Sequence, residues 1–467
     1  MSSRISHIPF FEKAIISDWK LFVAGTLYVL PIAGLLLWQP KLAVLYAMAP
    51  FVILLLCHGP SLVYLLVIST FLFLPFETTI TILPPDIVGF LLVIAYIIDK
   101  LHGRLPGKSN YLAMPFMAYL AVILVSIALE GFTTISIKFF LRQGLLFCTF
   151  YAVAHFGERV NKNYLFLTFI GAALLNSTYS LYQFLSAGGT VRAFGLAGKG
   201  YADHVMIGFV ISIVFYLWST DLRKRIFWAG SGLIMVGAMA ATQTRASVIT
   251  AGFGLLIVLF FAIKTGKKMS LNIPRRNLII ASVLTCVSIV LLALYTPVFD
   301  GIVHRFGRMG LQASGTILLR ISLWTAGIKA FLANPFLGIG AGNFAEVFRW
   351  VPEVRFDPIF YMVEGLSTHS ILVTVLAETG LAGLIAVSLF YKRAISKSYN
   401  NFRISESDDD TAATLCLFAI ASCIVISSIY AGAWFWGNNS FHMAVFFGII
   451  VSYRHRQSPL VAGGASV

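Results

Sequence analysis

The chain has 467 residues, of which 58% are hydrophobic and only 11% charged, with a formal net charge of +15 and a mean hydropathy of +0.87. A soluble domain carries about 25% charged residues, so the composition excludes an ordinary soluble enzyme. The apolar runs are continuous rather than alternating, which excludes a membrane β-barrel and leaves helices that satisfy their own backbone in lipid.

The segment from Met1 to Lys20 is polar and mixed in charge, and no cleavable signal peptide is apparent. Spans are expected at 21–37, 41–57, 61–77, 86–99, 112–129, 136–155, 164–186, 204–220, 227–242, 246–263, 277–296, 371–390, 412–431 and 437–453. The pattern predicts an all-α, polytopic membrane protein with about 12–14 transmembrane helices and one long, partly helical periplasmic loop. Residues 1–296 read as helices with short loops, 297–370 as the large loop, and 371–467 as C-terminal helices. Within the large loop, Ile317 to Leu332 reads as an amphipathic helix. The loop also holds Phe344, Phe348, Trp350 and Phe356, enough apolar surface to fold against the membrane. No internal repeat is visible.

Basic residues concentrate at Lys100/Arg104/Lys108, Arg159/Lys162, Arg223/Lys224/Arg225, Lys264/Lys267/Lys268/Arg275/Arg276, Lys392/Arg393/Lys397/Arg403 and Arg454/Arg456. Counted through the expected spans, all of these loops fall on the side of the N-terminus, and the positive-inside rule makes that side the cytoplasm. The positive charge is therefore explained by topology, and nucleic acid is not expected as a partner. The five cysteines fall in or at the ends of apolar spans without metal-ligand spacing, so neither a disulfide framework nor a metal site is expected.

The opposite face carries cations that topology does not ask for: Lys138, Arg142, Arg192, Arg245, Arg305, Arg308, Arg320, Arg349 and Arg355. Arg142 and Arg245 are expected at or just below the membrane surface, where a cation is costly unless it faces a polar cavity or a partner. Arginine suits phosphate, because its planar fork binds two oxygens and keeps its charge. Any single one of these arginines could instead simply snorkel to headgroups. Among the histidines, His369 stands apart: Ser367-Thr368-His369-Ser370 lies where the long loop enters an apolar helix running on to Glu378-Thr379-Gly380-Leu381-Ala382-Gly383. An imidazole there can accept a proton from a hydroxyl arriving from water, although a histidine at a helix start is often only structural. His204, Glu364 and Glu378 are the alternative bases on this face.

The order of four short motifs resembles the O-antigen ligase and O-antigen polymerase superfamily. They are Arg192-Ala193-Phe194-Gly195; Thr242-Gln243-Thr244-Arg245-Ala246; Arg320-Ile321-Ser322-Leu323-Trp324 leading to Asn334-Pro335-Phe336-Leu337-Gly338-Ile339-Gly340-Ala341-Gly342-Asn343-Phe344; and Thr368-His369-Ser370 with Glu378 to Gly383 downstream. Two departures are plain: the family often has His-Asn where this chain has His369-Ser370, and about twelve spans are typical of it. The resemblance implies a bacterial inner-membrane enzyme that works on the periplasmic side without cofactor or metal. It would take a glycan from undecaprenyl diphosphate to lipid A-core or to another glycan, among membrane lipids as its surroundings. It also implies site roles: Arg142, Arg192, Arg245 and Arg320 hold the donor diphosphate, and His369 is the general base of an inverting displacement. A ligase and a polymerase remain open, as does a transporter of polysaccharide or lipid-linked glycan. A transporter should show repeats and polar residues at mid-membrane.

Overall fold

A computed structural model describes residues 56, 58–72, 83–103, 112–189, 192–197, 201–242, 244–264, 309–346, 368–430 and 439–453. The expected spans at 21–37 and 277–296 lie outside these residues, as does 41–57 except Leu56. Twelve α-helices and no strand occur among the described residues. In chain order they are α1 (Gly59–Ser69), α2 (Pro84–Leu101), α3 (Ala113–Glu130), α4 (Thr134–Phe156), α5 (Lys162–Ser186), α6 (Tyr201–Trp218), α7 (Leu222–Thr242), α8 (Arg245–Lys264), α9 (Met309–Ala333), α10 (Ile371–Arg403), α11 (Asp408–Tyr430) and α12 (Asn439–Ser452).

Six of them, α3, α4, α5, α7, α10 and α11, are long and apolar enough to cross a membrane, and α1, α6, α8 and α12 contain shorter apolar stretches. The protein is thus an all-helical, multi-pass membrane protein. Local signals set the helix boundaries. Gly131, at φ 104°, stops α3, and Thr133 caps α4 by exchanging hydrogen bonds with Ser136. Asn161 caps α5 by accepting from the backbone N–H of Asn163 (3.0 Å) and Tyr164 (3.2 Å).

Aromatic side chains knit the interior. Phe116 of α3, Phe150 of α4, Phe390 of α10 and Phe447 of α12 form one continuous cluster of ring contacts. In the apolar window of α11, 83% of residues are buried, so this helix is shielded by its neighbours rather than by lipid. At one end of the bundle, Asp99 accepts from His155 (2.7 Å) and Arg159 (3.1 Å), while Tyr453 donates to Asp410 (2.8 Å) and Lys162 lies over the Tyr453 ring. Several of the basic loops grouped from sequence therefore meet at this end. The α3–α4 turn lies at the other end, and there the candidate site is found.

Three expectations need correction. The helix expected at 317–332 begins earlier, at Met309. The helix expected at 61–77 stops at Ser69, where the Ser69 and Thr70 hydroxyls donate back to the carbonyls of Leu66 and Val67. The span expected at 371–390 is part of a 33-residue helix that runs to Arg403 and is broken at Gly380 (φ 62°, ψ −158°).

Candidate functional site

The break in α10 organises the site. At Gly380 the helix loses its internal hydrogen bonds, and the segment after α9 supplies substitutes. Ile339 and Gly340 donate their backbone N–H to the carbonyls of Ala377 (2.9 Å) and Glu378 (3.1 Å). Leu381 and Ala382 in turn donate to Pro335 (2.9 Å) and Phe336 (3.2 Å). Interrupted backbone within a membrane protein is tolerated where protein satisfies it, and four such bonds do so here. The approach is backbone to backbone: a side chain at Gly338 would collide with Glu378, and one at Gly380 with Phe336. Gly338, Gly340, Gly342 and Gly380 all take positive φ, from 62° to 94°, which explains the glycine pattern as a tight loop.

Glu378, 3% exposed, locks the end of this loop. Its side-chain carboxyl accepts from the backbone N–H of Phe344 (3.2 Å) and from that of Gly342. Ser126 of α3 donates to the carbonyls of Leu337 (2.7 Å) and Glu378 (3.0 Å), tying the same crossing to a third helix. Asn343 then meets Thr133, the cap of α4, at 3.4 Å. A charge inside an apolar run, two residues before a glycine, was the sequence signal for this anchor. Along the sequence alone the stretch reads as one apolar helix, with Glu378 as an alternative base on it.

His369 sits at the start of α10 in a held turn. Among the described residues it is the non-glycine residue with positive φ, 54°. That conformation costs an L-residue about 1–2 kcal/mol and persists only when neighbours impose it. The neighbours are visible: Thr368 and Ser370 are 0% and 1% exposed, whereas His369 is exposed. The Thr368 hydroxyl donates to the Ser370 carbonyl (2.7 Å), and Ser370 caps α10 by accepting from Val373 N–H (3.4 Å). Serine and asparagine are equally good N-caps, so His369-Ser370 keeps the local structure that His-Asn would give.

Arg320 belongs to the same neighbourhood through α9. Arg320, Trp324 and Gly327 follow one another at helical spacing on one stripe. The Trp324 indole donates to the Thr368 carbonyl (3.1 Å), and Gly327 packs against Val373, Thr368 and Phe344. Arg320 is thus one turn, about 6 Å, along the helix from the residue that holds the His369 turn.

A second group forms where α5, α7 and α8 meet. Arg192 donates to the Thr244 hydroxyl (2.6 Å) and lies over the Phe194 ring, and Ala193 N–H pairs with the Ala241 carbonyl (3.1 Å). Thr244 immediately precedes Arg245, the first residue of α8, so the backbones of both expected arginines lie at one junction. Asn176 and Gln183 of α5 were missed from sequence. They hold the turn after Arg192 by accepting from Leu196 N–H (2.7 Å) and Gly195 N–H (3.1 Å).

Arg142 stands in a third place, on α4, where its guanidinium faces Asp86 of α2 at 3.5 Å. Asp86 was not singled out from sequence, where Pro84-Pro85-Asp86 reads only as a helix start. His204 is buried against Phe71 and His442, so this alternative base does not face solvent as His369 does. Arg305, Arg308, Arg349, Arg355, Trp350 and Glu364 lie outside the described residues. Among the described residues, no group of three or more His, Cys, Asp or Glu could hold a metal ion.

Comparison with known families falls on this assembly. Residues 230–388 match the family model described as O-Antigen ligase. The likeness to the O-antigen ligase and polymerase superfamily holds. The matched stretch contains Arg245, Arg320, His369 and the α10 break, and leaves Arg142 and Arg192 outside it. The chain is also 25% identical, over 276 residues, to the exopolysaccharide production protein ExoQ of Rhizobium meliloti (strain 1021). That match covers 55% of this chain and 58% of the relative.

Proposed function

We propose that this protein is an inner-membrane glycosyltransferase of the O-antigen ligase kind, transferring a glycan from undecaprenyl diphosphate to a sugar hydroxyl of lipid A-core on the periplasmic face. The observation that carries the reading is the His369 turn. An exposed imidazole is held in a strained conformation by buried neighbours, beside the helix of Arg320 and within the stretch that matches the O-antigen ligase family. In the proposed reaction the acceptor hydroxyl gives its proton to His369 as its oxygen bonds to the anomeric carbon. The bond from that carbon to the diphosphate oxygen breaks, undecaprenyl diphosphate leaves, and the configuration inverts. Arg192, Arg245 and Arg320 neutralise the diphosphate, most strongly as negative charge develops on the leaving oxygen. The ion pair with Asp86 sets Arg142 apart from these three.

A second reading is a polymerase of the same fold, with a second lipid-linked glycan as acceptor. It is favoured by the name of the Rhizobium relative, an exopolysaccharide production protein. Reconstitution in vesicles with lipid-linked glycan, with and without lipid A-core, separates the two. A ligase forms glycosylated lipid A-core. A polymerase lengthens the lipid-linked glycan without needing that acceptor. Absence of both products from folded protein supplied with both substrates would overturn the transferase reading.

A further inference from the structure

Past the end of α5, Gly189 N–H returns to the Phe184 carbonyl (2.9 Å), and residues 192–197 run back along the helix. Ala193 is buried against Phe184, with Leu181 beside it. Gly195 then lies so close to Asn176 that any side chain there would collide with the Asn176 amide. Asn176 precedes Ser186, the last residue of α5, by ten positions, about 15 Å back from the helix end. Because α5 is long and apolar enough to cross a membrane, extended backbone beside it at that depth must be satisfied by protein. Two side chains of the helix do this: Asn176 Oδ1 accepts from Leu196 N–H (2.7 Å), and Gln183 Oε1 from Gly195 N–H (3.1 Å).

A side-chain amide accepts with its oxygen and donates with its nitrogen, and carries no charge into the bundle. Asn176 uses both halves, since its Nδ2 also donates to the Phe71 carbonyl (3.4 Å) just past α1. Phe71 is 3% exposed, and its ring packs among Phe169, His204 and His442, so this anchor is firmly held. The pinned backbone in turn sets where the guanidinium stands. Phe194 lies between Ala193, whose N–H is bonded to the Ala241 carbonyl, and Gly195, bonded to Gln183. The Phe194 ring supports the Arg192 guanidinium at 5.2 Å, while Nη2 donates to the Thr244 hydroxyl. An arginine fork grips two phosphate oxygens only when it is correctly aimed. We infer that Asn176 and Gln183 are positioning residues for donor binding, setting the depth and direction at which Arg192 meets the diphosphate; this rests on the glycosyl-transfer reading above.

The test measures binding of undecaprenyl diphosphate in detergent, on protein normalised for folded material, in the parent and in an Arg192→Ala background. Asn176→Leu keeps the size of the side chain and removes both of its hydrogen bonds. Gln183→Met keeps the length and removes the acceptor; at a half-buried position it is the milder change, and it carries the test if Asn176→Leu does not fold. With Arg192 present, each should weaken binding about 10-fold, comparable to the loss of one charge-assisted hydrogen bond. In the Arg192→Ala background each should shift affinity by less than about twofold, because residues that act through Arg192 then have nothing left to aim. The same loss in both backgrounds would mean a general loosening of the bundle and would overturn the inference, as would parental affinity in either folded variant. Parental affinity of Arg192→Ala itself would also overturn it, while leaving the transfer reading to Arg245 and Arg320. Failure of the parent protein to bind undecaprenyl diphosphate at all would sink the transfer reading, and the positioning role with it.

Discussion

A guanidinium differs from an ammonium in presenting a planar fork of donors, and the proposed hold on the diphosphate depends on that difference. Arg245→Ala or Arg320→Ala should abolish transfer while the protein still accumulates in the membrane. Arg320→Lys should retain less than about a tenth of parental turnover, because charge survives but the bidentate contact does not. Full activity of Arg320→Lys would reduce the position to a source of positive potential. As candidates, the arginines stand out in the sequence because topology gives no reason for charge on that face, and His369 because it lies where the long loop enters an apolar helix. Asp86 and Glu378 were not legible in their roles. A first-turn acid and a carboxylate in an apolar run acquire meaning only from partners on other helices: Arg142 at 3.5 Å, and the backbone N–H of Phe344 at 3.2 Å.

At the scale of elements, the apolar runs fixed most of the described helices to within a few residues, since lipid demands continuous hydrophobicity whatever the tertiary arrangement. The α10 break escaped because hydrophobicity continues across Gly380; only its backbone departs from the helix. The residues that complete the break, Pro335 to Gly340, belong to another segment, and pairing of that kind leaves no periodic trace. The break makes a stability prediction. Gly380→Ala places a Cβ at φ 62° against the backbone of Phe336, and should cost at least about 2 kcal/mol by strain and displacement of the inserted loop. Gly171→Ala, on α5 with open space where the new methyl would lie, is the control and should be near neutral. Thermal unfolding in detergent reads the difference, and equal melting temperatures would contradict the described crossing.

Across the whole molecule, residues distant in sequence are gathered by an alternating helical bundle. Asp99, His155, Arg159, Asp410 and Tyr453 meet at one end. The α3–α4 turn, the loop in the α10 break and the His369 turn are linked through Asn343, Phe344 and Trp324 at the other. Charge distribution along the sequence puts Arg159 and Lys162 in one set with Lys100 and Arg454, and among the described residues their neighbours Asp99 and Tyr453 do meet them at one end, because each span reverses the side on which the next loop emerges. It could not foretell which outer arginines share a junction, and the structure divides the four expected ones among separate places: Arg192 and Arg245 at one junction, Arg320 beside the His369 turn, Arg142 with Asp86. The central claim is that this end of the bundle performs transfer with His369 as general base. Turnover per folded molecule of purified His369→Ala, with undecaprenyl-diphosphate glycan and acceptor, measures it most directly. A fall by a factor on the order of 10²–10⁴, with donor-lipid binding preserved, is the predicted result; near-parental turnover would contradict the account.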